Sequence, residues 1–282
     1  MQMNSDEIKT YIQKGISQIP DYQIDPFFDS TFTKHIFVNG KSMYLKTFGH
    51  LKPYLDELIG LEVAKYFELP TIHQRLVCYE AIDQSIELGL VSEDLDPYGD
   101  RMKLKVRGRN QHVSLHGTVY YEESAMENTR EWVERISKIT FHNCFPLLKE
   151  QLLKLAAFSF TTKEVDRSSN LFYTIENKSA QLFPLFDFED CFNDDSELYD
   201  ALCVNAKRMK YLASAYPEFQ YQIQKVFDLD MYQILKQVEE TYFLQIPEET
   251  KDAYFEYVAS RKEKLKKELA PRTAPFQKRP IR

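Results

Sequence analysis

Glycine is scarce in this chain and its cysteines are not clustered, and both absences limit what the protein can be. Only 8 of the 282 residues are glycine, whereas 20 are phenylalanine and 18 are tyrosine. Few flexible positions and many large aromatic side chains favour a well-packed, helix-rich body. The 4 cysteines form no CxxC pair and no cluster with histidine, so neither a zinc site nor a disulfide framework is indicated.

Long hydrophobic runs are also absent. No stretch approaches the roughly 20 apolar residues of a membrane-spanning helix, and the first residues, MQMNSDEIKTYIQKG, are unlike a signal peptide. The formal net charge of −7 argues against nucleic acid as a partner for the whole surface. We therefore expect a cytoplasmic protein with buried free thiols, no membrane contact and no direct nucleic-acid binding.

What the chain does contain begins with a β-hairpin signal. Asn39-Gly40 lies between the apolar runs HIFV and SMYLKTF, and Asn-Gly is typical of a two-residue hairpin turn. The second run carries Lys46 in its middle. A lysine in a strand is usually an exposed edge residue. The alternative is that it reaches a phosphate as a point charge.

A helix is predicted after this hairpin. Pro53 suits its first turn, apolar residues then recur at helical spacing as far as Tyr66, and Pro70 ends it. Glu57 lies near the border of the apolar stripe. It is either a solvated glutamate or the partner of the strand lysine in an ion pair.

The stretch over residues 163–193, KEVDRSSNLFYTIENKSAQLFPLFDFEDCFN, has the most informative pattern. Asp166 and Asn170 lie on a polar turn, two short apolar strands follow on either side of residues 176–178, and the second runs into Asp187. Such a hairpin places three oxygen-bearing side chains at one end of a ribbon, where they suit a hard cation such as magnesium. The alternative is that these residues are ordinary turn formers and a solvated strand cap.

The remaining pattern is mainly helical. A strongly apolar helix over residues 145–160 leads toward the polar turn, and three more helices are predicted after residue 193, punctuated by Pro217 and Pro247. The basic end, RKEKLKKELAPRTAPFQKRPIR, predicts a frayed helix followed by a disordered tail.

Taken together, these motifs resemble those of the HipA-like serine/threonine kinases. The family's helix pattern, E-x-x-x-x-x-[LV]-A-x-x-x-x-[LI]-P, is matched from Glu57 to Pro70 after the strand lysine. Its catalytic loop, D-R-H-x-x-N, is matched in part by DRSSN at 166–170, and its metal-binding run by LFDFE at 185–189. The resemblance covers most of residues 25–265, and the motifs follow the order of the general kinase plan.

The resemblance implies an α+β fold of the bilobal protein-kinase-like type, with a small β-rich N-lobe carrying one helix and a larger α-helical C-lobe. We expect the N-lobe over residues 1–95, the C-lobe with the catalytic and metal-binding loops over 96–265, and a basic flexible tail over 266–282.

It also implies a chemistry that uses ATP and Mg²⁺. Lys46 would neutralise phosphate charge and Glu57 would hold that lysine in place. Asp166 would accept the proton of a Ser or Thr hydroxyl. Asn170 and Asp187 would bind the magnesium ion.

Further nucleotide contacts are expected from two segments of the N-lobe. Backbone groups from Glu93 to Leu95, at the hinge between the lobes, would contact adenine. The phosphate-loop position has no glycine, and its three hydroxyl residues are also candidates for autophosphorylation. The side chains expected near the phosphates are Ser30, Thr31, Thr33 and Lys34.

Three departures from the family pattern leave the activity open. Asn170 is one residue closer to Asp166 than in the general kinase loop, Ser168 replaces the usual histidine, and Glu189 stands where the family has glycine or a small residue. The chain is then either an active kinase for a protein or peptide Ser/Thr, in a toxin-like role with an antitoxin-like partner, or a pseudokinase that binds nucleotide or protein. A peptide-tailoring or small-molecule kinase is a third alternative.

Overall fold

The structure is a computed structural model. It describes residues 15–26, 32–81, 84–93, 146–164, 181–192 and 204–270, together with the backbone of the strands within 104–122 and 172–180. The first lobe is built on a six-stranded sheet in the order β1-β5-β6-β4-β3-β2. Its strands are β1 (Ser17–Gln18), β2 (Tyr22–Ile24), β3 (Thr33–Val38), β4 (Lys41–Lys46), β5 (Gln74–Glu80) and β6 (Ile86–Glu93).

The Asn-Gly hairpin joins β3 to β4, as predicted. Val38 pairs with Lys41, and the two loop residues between them have positive φ angles, 51° at Asn39 and 75° at Gly40. Two successive positive φ angles define the turn type whose twist matches that of the flanking strands. The turn therefore fixes the register that brings Lys46 opposite Thr33.

Helix α1 (Leu51–Tyr66) follows β4. Pro53 is in its first turn, where the missing N–H leaves no helical hydrogen bond unmade. Every residue from 54 to 64 is buried, so α1 has no solvated face along this stretch. The predicted single apolar stripe is wrong, because α1 packs against other elements all around.

A second sheet lies in the later part of the chain. It has five antiparallel strands in the order β11-β10-β9-β8-β7. The predicted hairpin around residues 176–178 is present, but its second strand ends five residues before Asp187. The strands are β7 (Leu104–Val106), β8 (Arg109–Val113), β9 (Val119–Glu122), β10 (Phe172–Glu176) and β11 (Ser179–Leu182).

Five further helices lie among the described residues and, with α1, surround the main core. The region after residue 204 contains four of them rather than three, because Asp230 caps a separate helix by accepting hydrogen bonds from the amides of Tyr232 and Gln233. None of the described helices is both long and apolar enough for a membrane crossing. The five are α2 (Pro146–Thr162), α3 (Ala206–Ala215), α4 (Phe219–Asp228), α5 (Met231–Tyr242) and α6 (Glu248–Leu269).

The hydrophobic core is continuous across the two lobes. One large cluster joins α1 and one face of the six-stranded sheet to the helices of the second lobe, while a small cluster covers the other face of that sheet. The fold is therefore α+β, with a β-rich lobe carrying one helix and a larger lobe dominated by helices.

Candidate active site

Lys46 lies where strand β4 ends, between β3 and β6. Its ammonium contacts three carboxylates: it is 3.3 Å from Glu57 Oε2 and 2.6 Å from Glu189 Oε2, and it also donates to Asp187 Oδ1. The side chain is only 12% exposed. The interpretation of this lysine as a solvated edge residue is therefore wrong, since β4 is an interior strand.

Glu57 is the buried anchor of this group. Its Oε2 accepts a hydrogen bond from the backbone N–H of Phe188 at 2.7 Å as well as from Lys46, and its Oε1 accepts one from Gln74 Nε2 at 2.6 Å. The carboxylate has no exposed surface. A buried charge needs such a set of donors to remain stable. The Lys46–Glu57 ion pair predicted from the sequence is present.

Asp187 and Glu189 are carried by the segment that follows β11. Backbone hydrogen bonds from Leu185 N to Pro70 O and from Ile72 N to Leu185 O attach this segment to the connection between α1 and β5. Asp187 itself has a left-handed backbone, with φ of 68°. The segment thus places both of its acidic side chains in contact with the ammonium of Lys46.

A glycine in α1 allows the close approach of this segment. A Cβ at Gly60 would lie 2.8 Å from Phe188 Cβ and 3.0 Å from Cys191 Sγ, distances too short for side chains in contact. Phe188 is fully buried and stacks edge-on against Phe158 of α2. The glycine therefore brings Asp187 and Glu189 within reach of both α1 and β4.

The pKa values in the site are set by burial and by the presence of three carboxylates around one ammonium. Burial alone would lower the pKa of Lys46, but Glu57, Asp187 and Glu189 outweigh it and raise that pKa above its ordinary value. Burial, with repulsion from Asp187, raises the pKa of Glu189 to about 7 in spite of the lysine. Three carboxylates thus share one ammonium.

The same carboxylates have the chemistry of a cation site. One oxygen from each of Glu57, Asp187 and Glu189 can be chosen so that all three lie within 4.8 Å of one another. Carboxylate oxygens are the preferred protein ligands of magnesium and calcium.

The other predicted residues differ in where the structure places them. Thr33 pairs with Lys46 across the sheet and so lies on the same face. Lys34 pairs with Leu45 and lies over the Tyr79 ring on the opposite face, so the structure does not bring it to the cluster. Glu93 ends β6. Ser30, Thr31, Leu95, Asp166 and Asn170 lie outside the described residues.

Sequence reasoning missed one polar member of the site. Gln74 begins β5 and pairs with Ser92 of β6, which pairs in turn with Tyr44 of β4. Paired residues share a face, and so do residues two apart on a strand, such as Tyr44 and Lys46. Gln74 therefore lies on the same face of the sheet as Lys46. No local motif signals this role, because it depends on the order of three strands.

Helix α1 is held to the second lobe by buried polar contacts. Tyr254 OH of α6 donates to Asp56 Oδ1 at 2.5 Å, Tyr242 OH of α5 donates to Glu62 Oε1 at 3.2 Å, and Tyr66 OH donates to the carbonyl of Lys225 at 3.0 Å. Burial raises the pKa of Asp56 to about 6. The helix that carries Glu57 is therefore fixed at several points along its length.

The end of α2 is anchored just before the predicted catalytic loop. Arg261 is buried, donates to the carbonyls of Phe160 and Val204, and stacks over the Phe160 ring. Phe192 N donates to Thr162 O at 2.6 Å. The chain that enters the loop is thus tied both to α6 and to the segment carrying Asp187.

Comparison with known proteins places this arrangement in a structural class. No protein-family model matches the chain, and no curated protein sequence matches it either. Its structure is similar to that of the proinflammatory kinase CtkA of Helicobacter pylori, with a TM-score of 0.52 and 12% identity over 90% of this chain and 97% of that one.

Two further solved structures are similar. Hydra Fam20, solved with a sugar, has a TM-score of 0.55 and 8% identity over 95% of this chain and 90% of that one. HipA of Shewanella oneidensis, solved with HipB and operator DNA, has a TM-score of 0.47 and 13% identity over 94% and 71%. At these identities the likeness to CtkA and Fam20 shows the fold alone. The chain has an α+β, bilobal, protein-kinase-like fold.

Proposed function

We propose that this protein is an ATP-dependent serine/threonine kinase of the HipA-like type that transfers the γ-phosphate of Mg-ATP to the hydroxyl of a protein or peptide. The observation that carries the proposal is the contact of Lys46 with both Glu57 and Asp187. These residues are separated by up to 141 positions along the chain, and phosphoryl transfer by protein kinases uses such a lysine, helix glutamate and metal-binding aspartate together.

The lysine and its glutamate have defined roles in this proposal. Lys46 places a fixed positive charge where the α- and β-phosphates bind, and Glu57 keeps it there through a carboxylate that Gln74 and the Phe188 amide also hold. Because the donors are already oriented, little reorganisation is needed when negative charge develops on the phosphates.

The aspartates act on either side of the transferred group. Asp187, with the predicted Asn170, would hold Mg²⁺, which neutralises phosphate charge when bound. Asp166 would orient the acceptor hydroxyl and take its proton as the new O–P bond forms, while the bond from the γ-phosphorus to the β,γ-bridging oxygen breaks and ADP leaves. Burial of the Lys46 cluster strengthens each of these charge interactions relative to water.

The finer assignments rest on the sequence resemblance. It supports a HipA-like kinase in the cytoplasm with an antitoxin-like protein partner, with autophosphorylation at Ser30, Thr31 or Thr33. Adenine would contact the backbone at Glu93 and Leu95. Lys34, which lies on the far face of the sheet, would meet phosphate only if its strand turned over, so we leave it out of the proposed site.

One observation favours a second function. Lys46 is engaged by three carboxylates rather than by one or two, and Glu189 stands beside it in place of a small residue. A pseudokinase that binds nucleotide or protein without turnover is consistent with a lysine held in this way.

Transfer of labelled phosphate from ATP tests the proposal. With Mg²⁺ and a generic Ser/Thr substrate, we expect turnover by the wild-type chain and a loss of about 100-fold or more in Lys46→Met and Asp187→Asn. Lys225→Met is the matched control, because Lys225 is also an ion-paired lysine with a side chain 12% exposed, and its partner is Glu68.

A second measurement, the stabilisation of the protein by nucleotide, separates the alternatives. A pseudokinase that binds nucleotide should be stabilised by about 2.7 kcal/mol when the nucleotide is at 100 times its Kd. It should transfer no phosphate and hydrolyse no ATP. Neither binding nor turnover would reject both functions.

A further inference from the structure

Glu189 is the member of the Lys46 cluster that the kinase plan does not account for. We propose that Asp187 and Glu189 form a divalent-cation site that the chain loads without nucleotide, and that Lys46 takes the place of the cation in the metal-free protein. The site deepens the proposed function, because the same residues would then present the metal to an incoming phosphate, but its existence can be tested without any turnover.

The spacing of the oxygens suits a single ion. Carboxylate oxygens of the cluster lie within 4.8 Å of one another. Two ligands on opposite sides of Mg²⁺ are about 4 Å apart, and those of Ca²⁺ are about 5 Å apart. Small rotations of the acidic side chains therefore suffice to enclose either ion, or Mn²⁺, once the ammonium of Lys46 has withdrawn.

A buried acceptor points independently to a ligand here. Gln74 is 5% exposed, and its Oε1 has no hydrogen-bond partner among the described residues. The amide cannot simply be turned over, because its Nε2 must donate to the Glu57 carboxylate. A buried acceptor left unpaired is destabilising, so a ligand that brings a donor to this position is favoured.

A hydrated cation is a ligand of that kind. Mg²⁺ usually keeps several of its water molecules when it binds to protein carboxylates. Gln74 lies on the Lys46 face of the sheet and contacts Glu57 directly, so its free oxygen borders the cluster. A metal-bound water can donate to it while Asp187 and Glu189 supply direct ligands.

The exposure of each carboxylate indicates which ones an ion can reach. Glu57 has donors other than Lys46, namely the Phe188 amide and Gln74, and it is completely buried. An ion from solvent therefore has no direct access to it. Asp187 and Glu189 are each more than a quarter exposed, on the open side of the cluster. They are the carboxylates that an ion from solvent reaches first.

Titration of the nucleotide-free full chain with MnCl₂ tests the site, with bound Mn²⁺ followed by electron paramagnetic resonance and by calorimetry. We expect one bound ion, displaced by Mg²⁺ or Ca²⁺. Glu189→Gln should weaken binding about 10-fold or more. The matched control is Glu239→Gln, since Glu239 is also a partly exposed glutamate paired with a lysine, Lys251; it should leave the affinity unchanged.

Lys46→Met gives the most discriminating result. If the ammonium competes with the ion, its removal should tighten Mn²⁺ binding, even though the same substitution abolishes the proposed phosphate transfer. Wild-type protein that binds no Mn²⁺ at millimolar concentration, an unchanged affinity in folded Glu189→Gln, or weaker binding in Lys46→Met would each overturn the proposal.

The outcomes also separate this site from the proposed function. Mn²⁺ binding lost in Glu189→Gln without any phosphate transfer by the wild type would retain the site and reject the kinase. Phosphate transfer with no nucleotide-free Mn²⁺ binding would retain the kinase and reject the site.

Discussion

The Lys46 cluster and the Glu68 cluster are ion networks of opposite composition. In the first, one lysine contacts three carboxylates, whereas in the second the carboxylate of Glu68 contacts Lys225 at 2.8 Å and Lys154 at 3.0 Å. Both connect different elements, since Glu68 follows α1 and its two lysines lie on α4 and α2. They differ in exposure: the Glu68 side chain is 57% exposed.

This difference in exposure determines what each cluster can contribute to the protein. Water and salt screen the Glu68 cluster, so it can add only modestly to stability. The Lys46 cluster is largely buried, so water and salt screen it weakly. Its extra carboxylates can bind a cation, and its lysine can bind a phosphate. A partly buried ion network with unbalanced charge therefore indicates function more strongly than a count of ion pairs does.

Removal of Glu57 should give the largest effect on stability. Glu57→Ala leaves the Phe188 amide and Gln74 Nε2 without their acceptor. Because each unpaired buried donor costs about 1–3 kcal/mol, we expect the free energy of unfolding to fall by about 2–5 kcal/mol in urea titrations.

Glu68→Ala is the comparison variant for that measurement. Its loss should be at most about 1 kcal/mol for each exposed pair, and smaller in 1 M salt. Equal losses of unfolding free energy in the two variants would show that burial does not determine how much each cluster contributes to stability.

A methyl group added at Gly60 should give an intermediate effect. Gly60→Ala forces the new Cβ against Phe188 and Cys191, and overpacking of this kind costs about 1–3 kcal/mol. The segment carrying Asp187 and Glu189 must shift, so phosphate transfer and Mn²⁺ affinity should fall with stability. Gly49→Ala is the matched control, since nothing lies within 4 Å of a Cβ there; it should change neither.

The smallest effect should be the pH dependence of the exposed cluster. Hydrogen bonds from Lys225 and Lys154 lower the pKa of Glu68 from 4.5 to about 2. Its contribution to stability is therefore complete above pH 4.5 and is lost as the pH falls toward 2. The difference in melting temperature between wild type and Glu68→Gln should be greatest near neutrality and close progressively below pH 4.5. A difference that widens in acid would contradict this assignment.

The features that the sequence predicted correctly are those encoded locally. Asn39-Gly40 can form its turn from the two residues alone, and it sets the register of the strand that carries Lys46. The Lys46–Glu57 pair, whose members are 11 positions apart, was predicted from the strand lysine and the helix pattern that follows it. Pro53 in the first turn of α1 and the helix cap at Asp230 are local signals too, although the cap was not predicted.

The features that were missed depend on distant parts of the chain. Burial of α1 on every side requires knowledge of the helices that pack around it, and a carboxylate such as Glu57 looks the same in sequence whether it is solvated or buried. The second sheet pairs β9 with β10 across more than 40 residues of intervening chain. Gln74 joins the site only through the strand order β5-β6-β4. Such long-range pairing leaves no periodic signal in a single sequence.

The anchoring of α1 has a consequence for control of the protein. Many kinases are switched on when the corresponding helix swings inward and delivers its glutamate to the lysine. Here hydrogen bonds from Tyr254, from Tyr242 and to the carbonyl of Lys225 hold that helix where Glu57 contacts Lys46. Movement of this helix away from Lys46 would require these three hydrogen bonds to be broken.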